Sequence, residues 1–139
     1  MSDPYNLQRF VDAQAPVYAR AVAELRAGQK QSHWMWFIFP QIKGLGSSPT
    51  AQRFAIASRG EAKAYLDHPL LGPRLHECTR LVTNLQGRSI EDILGYPDDL
   101  KFRSSMTLFA SVAENKADFT AALDKFYGGE MDRATLQRL

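Results

Sequence analysis

Signals that begin and end helices recur at short intervals along this sequence, and they constrain its fold more than any other feature. Ser48-Pro49 places an N-cap residue before a proline at the first helical position. Ser58 and Glu61 have the spacing of a capping box. Glycines such as Gly28 stand where an apolar stripe stops. Such frequent punctuation predicts many short helices joined by tight turns.

Apolar residues between these signals recur at helical spacing. The segment from Leu71 to Leu85 carries one such stripe, and a second runs from Phe102 to Ala113, after Asp98 or Asp99 as the expected N-cap. Asp3-Pro4 is expected to open the first helix in the same way. We therefore predict an all-α fold, a compact single-domain bundle of about seven to nine short helices crossing at mixed angles. Residues 1–139 are expected to form this single helical domain.

The continuous apolar run from Trp34 to Phe39 fits either a buried helix or a buried strand. A strand needs partners for its backbone, and no other stretch shows alternation or a hairpin turn, so helix is favoured. Phe37, Ile38 and Phe39 are expected in the core. Whether the Trp34 and Trp36 rings belong to the core or to a pocket wall stays open at this point.

Composition excludes several classes of protein. A single cysteine, Cys78, permits no intramolecular disulfide, and the start of the chain lacks the pattern of a signal peptide, so a cytoplasmic location is expected. The longest apolar run is far shorter than the roughly 20 residues that cross a bilayer. Net charge is +2 and the basic residues are not clustered, so neither nucleic acid nor a membrane is an expected partner.

Several segments resemble a known bacterial family. The first runs from His33 to Gln41 as HWMWFIFPQ and is followed by Gly44-Leu45-Gly46. The others are Tyr65 to Gly72, Lys101 to Phe109 and Asp132 to Leu136. Together they resemble domain-of-unknown-function family 1810, whose members are sometimes labelled calpastatin. The resemblance covers nearly the whole chain and implies a small, mainly helical fold without an established activity.

The segment from His33 to Ser48 is the first candidate for a binding site. Its glycines allow a ligand to approach the backbone, and the helix start at Ser48-Pro49, near Lys43, could hold an anion. A capped helix after an ordinary glycine turn explains the same residues without a ligand. The candidate ligand-binding residues, including basic groups elsewhere in the chain, are His33, Trp34, Trp36, Gln41, Lys43, Gly44, Gly46, Ser48, Arg53, Lys101, Arg103 and Ser105.

Neither a cofactor nor a metal site is indicated. Lys101 and Ser105 are four residues apart and share a helical face, but the order of a Ser-x-x-Lys motif is absent. The histidines His33, His68 and His76 lack metal-ligand spacing. Cys78 lies on an apolar stripe and is expected to be a buried, inert thiol.

Three functions are compatible with these residues. The leading hypothesis is a domain that binds a small anionic, nucleotide-like metabolite near the His33–Ser48 segment. A bolder form makes it a hydrolase in which Asp99 or Glu77 activates water. The alternative is a protein-protein interaction module without a small-molecule ligand, which requires an exposed apolar patch larger than about 400 Å².

Overall fold

The computed structural model describes residues 3–139, which form ten helices and no strand. This confirms the all-α prediction. The count within the described residues slightly exceeds the predicted one because four segments form helices of only four or five residues. The helices are α1 Gln8–Gln14, α2 Tyr18–Ala27, α3 Met35–Ile38, α4 Pro49–Arg53, α5 Arg59–Asp67, α6 Leu71–Thr83, α7 Ile90–Leu94, α8 Asp98–Val112, α9 Ala117–Tyr127 and α10 Arg133–Gln137.

Side-chain caps begin four of these helices. Ser48, Ser58, Ser89 and Asp132 each accept a hydrogen bond from the backbone N–H three residues further on. Proline follows Ser48 at the first helical position, as the sequence predicts. These bonds satisfy amide groups that the first turn of a helix leaves without partners, so the positions of the caps fix where the helices begin.

The predicted capping box at Ser58 is only half formed. Ser58 accepts from the Glu61 amide, but the Glu61 carboxylate does not return a bond to the cap. It accepts instead from the Ala57 amide at 3.1 Å and pairs with the Arg9 guanidinium at 2.7 Å. A buried carboxylate requires a charged partner, and Arg9 supplies it from α1.

Two other predicted helix starts were wrong in detail. Pro97 occupies the N-cap of α8, while Asp98 and Asp99 lie in its first turn. The first helix begins at Gln8 rather than beside Asp3, because the Asp3 carboxylate accepts from the Leu7 and Gln8 amides across an intervening turn.

Helix α8 lies at the centre of the molecule. It packs against α5, α7, α9 and α10, and every residue from 104 to 110 is buried. Cys78, on α6, belongs to the same core and is fully buried. Burial raises the pKa of this thiol to about 12, because the apolar surroundings disfavour the thiolate.

The chain after α3 is held by a short parallel bridge. Ile42 pairs with Ile56, through bonds of 2.8 Å from the Lys43 amide to the Ile56 carbonyl and from the Ile56 amide to the Gln41 carbonyl. The bridge fixes the loop that carries Gly44 and Gly46 against the end of α4. No helix among residues 3–139 combines the length and the apolar character needed to span a membrane.

Candidate functional site

Glu24 fastens the start of the aromatic segment to α2. Its carboxylate accepts from the backbone amides of Gln31 and Ser32, from the Ser32 hydroxyl and from the indole Nε1 of Trp34. Burial raises the pKa of Glu24, but the hydrogen bonds from Ser32, Gln31 and Trp34 outweigh burial and lower this pKa to about 2. The carboxylate is therefore ionised at neutral pH and holds Trp34 in place.

The two tryptophans lie at the start of α3, with Met35 between them, and differ in burial. Trp34 is 1% exposed and packs with its ring centre 6.2 Å from that of Phe39, so it is a core residue. Trp36 is only half-buried, and the Lys101 ammonium lies 4.3 Å from its ring centre. Ile38 and Phe39 are buried as predicted, whereas Phe37 is half-buried. Trp36, not Trp34, is thus the ring available to a ligand.

Two lysines share one carboxylate beside the tryptophans. Lys30 Nζ lies 2.8 Å from Asp98 Oδ2, and Lys101 Nζ lies 3.1 Å from Asp98 Oδ1. The Lys30 side chain is only 9% exposed, and its ammonium lies 5.2 Å from the Trp34 ring centre. The group carries one more positive than negative charge, which favours an anion.

These side chains line a cavity of about 130 Å³, which we call the lysine cavity. Its walls come from the α2–α3 connection, α3, α4 and the first turn of α8: Lys30, His33, Trp34, Met35, Trp36, Phe37, Thr50, Asp98 and Lys101. Pockets that enclose whole drug-sized ligands measure about 300–1,000 Å³. This cavity therefore has room for one small group, such as a phosphate or carboxylate.

Four of the predicted site residues meet at this cavity. They are His33, Trp34, Trp36 and Lys101, which come from two separate parts of the chain. Gly46 lies outside the cavity but next to the Trp36 ring. A Cβ at this position would lie 2.7 Å from the Ala51 Cβ and 2.9 Å from Trp36 Cη2. The absence of a side chain at Gly46 lets the Trp36 ring pack against this loop.

The predicted anion cradle between Lys43 and Ser48 does not line the cavity. Lys43 is exposed, and the Gly44 carbonyl lies 3.5 Å from the Arg138 guanidinium. Ser48 caps α4, which has five residues. Arg53 is exposed and lies over the Phe54 ring at 5.2 Å. These residues therefore do not converge on one anion site.

The three remaining predicted residues lie elsewhere. Arg103 donates to the backbone carbonyls of Glu130 and Met131 at 2.9 and 3.0 Å, and so ties α8 to the segment before α10. Gln41 and Ser105 are buried, and neither the Gln41 Nε2 nor the Ser105 Oγ has a partner among the described residues. None of the three lines the cavity.

A second candidate site, around His76 and Asp118, was not predicted from the sequence. His76 Nδ1 lies 2.8 Å from the Asp118 carboxylate, which also accepts from Arg80 Nε at 3.0 Å. His76 and Asp118 line a groove of about 590 Å³ between α6 and the start of α9. The two residues are 42 positions apart in sequence, so no local motif marks the pair. Glu77, predicted as a residue that activates water, lines this groove and not the lysine cavity.

Metal ligands do not gather in the described part of the chain. Residues 3–139 bring together no group of three His, Cys, Asp or Glu side chains that could hold an ion.

Comparison with known proteins places the chain in a family. The family model described as "Protein of unknown function (DUF1810)" matches residues 4–139. The crystal structure of the conserved hypothetical protein Rv1873 from Mycobacterium tuberculosis is similar, with 64% sequence identity and a TM-score of 0.98 over 99% of this chain and 98% of that one. No curated protein matched. The chain belongs to the DUF1810 family.

Proposed function

We propose that this protein binds a small anionic metabolite, with the anionic group of the ligand in the cavity beside Lys30 and Lys101. The observation that carries the proposal is that two ammonium groups share the single carboxylate of Asp98, at 2.8 and 3.1 Å. Among the described residues, one positive charge of this group has no counterion, and an anion in the cavity would neutralise it.

Lys30 is better placed than Lys101 to bind an anion. Its side chain is nine-tenths buried, and burial of an ammonium group is costly unless it is paired and hydrogen-bonded. An ammonium group carries three N–H donors. Asp98 is the one carboxylate paired with it among the described residues. A phosphate or carboxylate in the cavity would accept further hydrogen bonds from Lys30 and from Lys101.

The size of the cavity limits which part of the ligand can enter. A space of about 130 Å³ holds an anionic group but not a base and a sugar as well. The remainder of a nucleotide-like ligand would lie outside, against the half-buried Trp36 and the exposed His33. Trp36 offers a ring face for stacking, whereas Trp34 is enclosed in the core.

Binding is better supported than hydrolysis at this cavity. Asp98 is the one carboxylate among the lining residues, and both lysines already engage it. Asp99, the other predicted water-activating residue, is not part of the lining. The hydrolytic form of the hypothesis, with Asp99 or Glu77 as the base, therefore has no support at this cavity.

Intrinsic fluorescence tests the proposal directly, because both tryptophans of the chain line the cavity. The protein would be titrated with phosphate, acetate, pyrophosphate and ADP-ribose. We expect saturable quenching by at least one of the phosphate compounds. The variants K30M and K101M should each weaken binding about tenfold or more, since a hydrogen bond to a charged group contributes about 1.5–3 kcal/mol.

The variant K43M is the matched control, because Lys43 is exposed and lies outside the lining. Unchanged affinity in K43M, with a loss in K101M, supports the cavity. The reverse pattern would move the site to the glycine loop. Equal affinity in the wild type, K30M and K101M would refute the proposal.

The interaction module remains the second candidate. Tyr96 is 74% exposed and Leu100, four residues further on, is 49% exposed. Large apolar side chains exposed close together are a feature of binding surfaces. A flat titration, together with weaker capture of a protein partner by the variant Y96S/L100S, would favour this alternative.

A further inference from the structure

The groove that contains His76 has the dimensions and the polar groups of a reaction site. It measures about 590 Å³ and lies between α6 and the connection from α8 to α9. A neighbouring cavity of about 220 Å³ shares three of its lining residues, Leu66, His76 and Asn115. His76 therefore stands at the junction of two concave spaces that together could hold a small substrate.

Asp118 holds the His76 ring in one orientation. The Asp118 carboxylate lies 2.8 Å from Nδ1 and accepts from Arg80 Nε at 3.0 Å. Burial raises the pKa of Asp118, but the bonds from His76 and Arg80 outweigh burial and hold this pKa below its usual value. An ionised Asp118 accepts the proton on Nδ1, which leaves the lone pair on Nε2. Nε2 makes no hydrogen bond with any of residues 3–139.

The groove also contains hydrogen-bond donors without partners. Asn115 lines both spaces, and its Oδ1 accepts from the Ala117 amide at 3.2 Å. That bond orients the side-chain amide, whose Nδ2 has no acceptor among the described residues. Among the described residues Arg80 bonds only to Asp118, through Nε, so its terminal N–H groups remain for a ligand. Such donors can stabilise an oxyanion that forms during a reaction.

We propose that this groove hydrolyses carboxylic esters, with His76 as the general base and water as the nucleophile. His76 Nε2 takes a proton from water while the water oxygen bonds to the ester carbonyl carbon. The resulting tetrahedral oxyanion is stabilised by Asn115 and Arg80. Its collapse breaks the bond between the carbonyl carbon and the alcohol oxygen, and the alcohol leaves with the proton from Nε2. Asp118 is a positioning residue.

Water is the nucleophile because the lining offers no substitute. Among residues 3–139, no serine, threonine or cysteine lines either space. Cys78 is two residues from His76, but its thiol is buried in the core, with a pKa raised to about 12. The thiolate needed for nucleophilic attack is therefore not formed at neutral pH.

The charges of the groove favour a neutral or cationic acyl chain. The acidic lining residues are Asp67, Glu77, Glu114 and Asp118, against the basic residues Lys63 and Arg80. An anionic substrate such as a phosphate ester would be repelled by this excess of carboxylates. Ester hydrolysis in this groove is thus independent of anion binding in the lysine cavity. The two sites lie at opposite ends of α8, because Lys101 and Val112 are separated by about 16 Å of helix at about 1.5 Å per residue.

The test measures hydrolysis of three p-nitrophenyl esters whose acyl groups are neutral acetyl, cationic β-alanyl and anionic succinyl. The wild type should cleave the first two faster than the same concentration of free imidazole, and the succinyl ester most slowly. The variant H76Q should lose about a hundredfold in kcat/KM, the lower range for general-base catalysis. The variant Q86A is the control because Gln86 is exposed and lines neither space, and it should keep the full rate.

Two further variants separate catalysis from a structural role. D118N should lower kcat with little change in KM, since Asp118 orients the base and does not contact the substrate. N115A alters an exposed side chain, and should lower kcat about tenfold or more through loss of the oxyanion donor. This variant provides a test even if H76Q fails to fold, which circular dichroism would show. A rate no greater than that of imidazole, equal rates in H76Q and wild type, or preference for the succinyl ester would overturn the proposal.

Discussion

The indole Nε1 of Trp34 donates a hydrogen bond of 2.9 Å to the carboxylate of Glu24, which joins the aromatic segment to a helix that precedes it in the chain. The same carboxylate accepts the Gln31 and Ser32 amides, so one side chain organises the whole α2–α3 connection. The position of Trp36 at the lysine cavity follows from this arrangement, because α3 begins immediately after Trp34.

Substitution of Glu24 should therefore destabilise the protein in a pH-dependent way. At neutral pH we expect E24Q to lower the free energy of unfolding by about 2 kcal/mol, the scale of a hydrogen bond to a charged group. The folded-state pKa of about 2 lies below the ordinary value of 4.5. The stabilisation from the carboxylate is thus complete above about pH 4.5 and is lost as the pH falls toward 2.

Urea unfolding of the wild type and E24Q at neutral pH and at about pH 3 measures this effect. The difference in free energy of unfolding between the two proteins should shrink at the lower pH. A difference of the same size at both pH values would contradict the assigned role of the ionised carboxylate.

The two tryptophans should behave differently when replaced. W34F removes part of a buried ring and the bond to Glu24, and should cost about 2–3 kcal/mol of stability. W36F changes a half-buried ring and should cost about 1 kcal/mol or less. Iodide should quench the emission of W34F, where Trp36 remains, and leave that of W36F nearly unchanged. Equal quenching of the two variants would show that the assigned burial of Trp34 and Trp36 is wrong.

Gly72 is required by the close approach of α5 and α6. A Cβ at this position would lie 2.0 Å from the Leu66 carbonyl oxygen, which belongs to the backbone and cannot rotate away. We expect G72A to lower the free energy of unfolding by about 3 kcal/mol or more, at the upper end of overpacking effects. Thermal and urea unfolding would measure the loss.

The control for this change is G87A, where a Cβ would meet no atom within 4 Å. Its cost should be about 1 kcal/mol, since Gly87 has φ of +70°. Similar losses in G72A and G87A would mean that the contact with Leu66 does not decide the effect.

The ion pair between Arg9 and Glu61 ties α1 to α5. Glu61 is 3% exposed and lies 2.7 Å from Arg9, which also donates to the Arg53 and Ala55 carbonyls. R9M leaves a buried carboxylate without a counterion and should cost about 3–5 kcal/mol. The double variant R9M/E61Q should be more stable than R9M alone, because the uncompensated charge is gone. A double-mutant cycle by urea unfolding checks this, and strictly additive losses would exclude coupling.

Local signals in the sequence predicted the helical class and the starts of α4 and α5. Caps such as Ser48 and Asp132 act on amides three residues away, so their effect is visible in a short window. The Ser58–Glu61 box is only half formed because the Glu61 carboxylate bonds to the Ala57 amide and to Arg9, which lies about fifty positions earlier. The competition between a local bond and a distant ion pair cannot be judged from spacing alone.

The candidate site was predictable only in part for the same reason. The aromatic segment predicted His33 and Trp36 as site residues, and both line the lysine cavity. Lys30 was missed because its importance comes from burial and from a partner on α8, neither of which a sequence displays. His76 was missed because its partner, Asp118, is brought to it only by the packing of α6 against α9.

The burial of α8 limits where the chain can be split or circularly permuted. Residues 104–110 of α8 are all buried, so this part of the helix has no polar face to expose to water in a fragment. It therefore needs the neighbouring helices from both earlier and later in the chain. Split versions and circular permutants of this protein should therefore be opened at exposed turns such as residues 86–88, where the backbone is outside any helix. Because the helices that pack against α8 come from both sides of this turn, we expect neither half to fold alone, and reassembly of the two pieces would report their association.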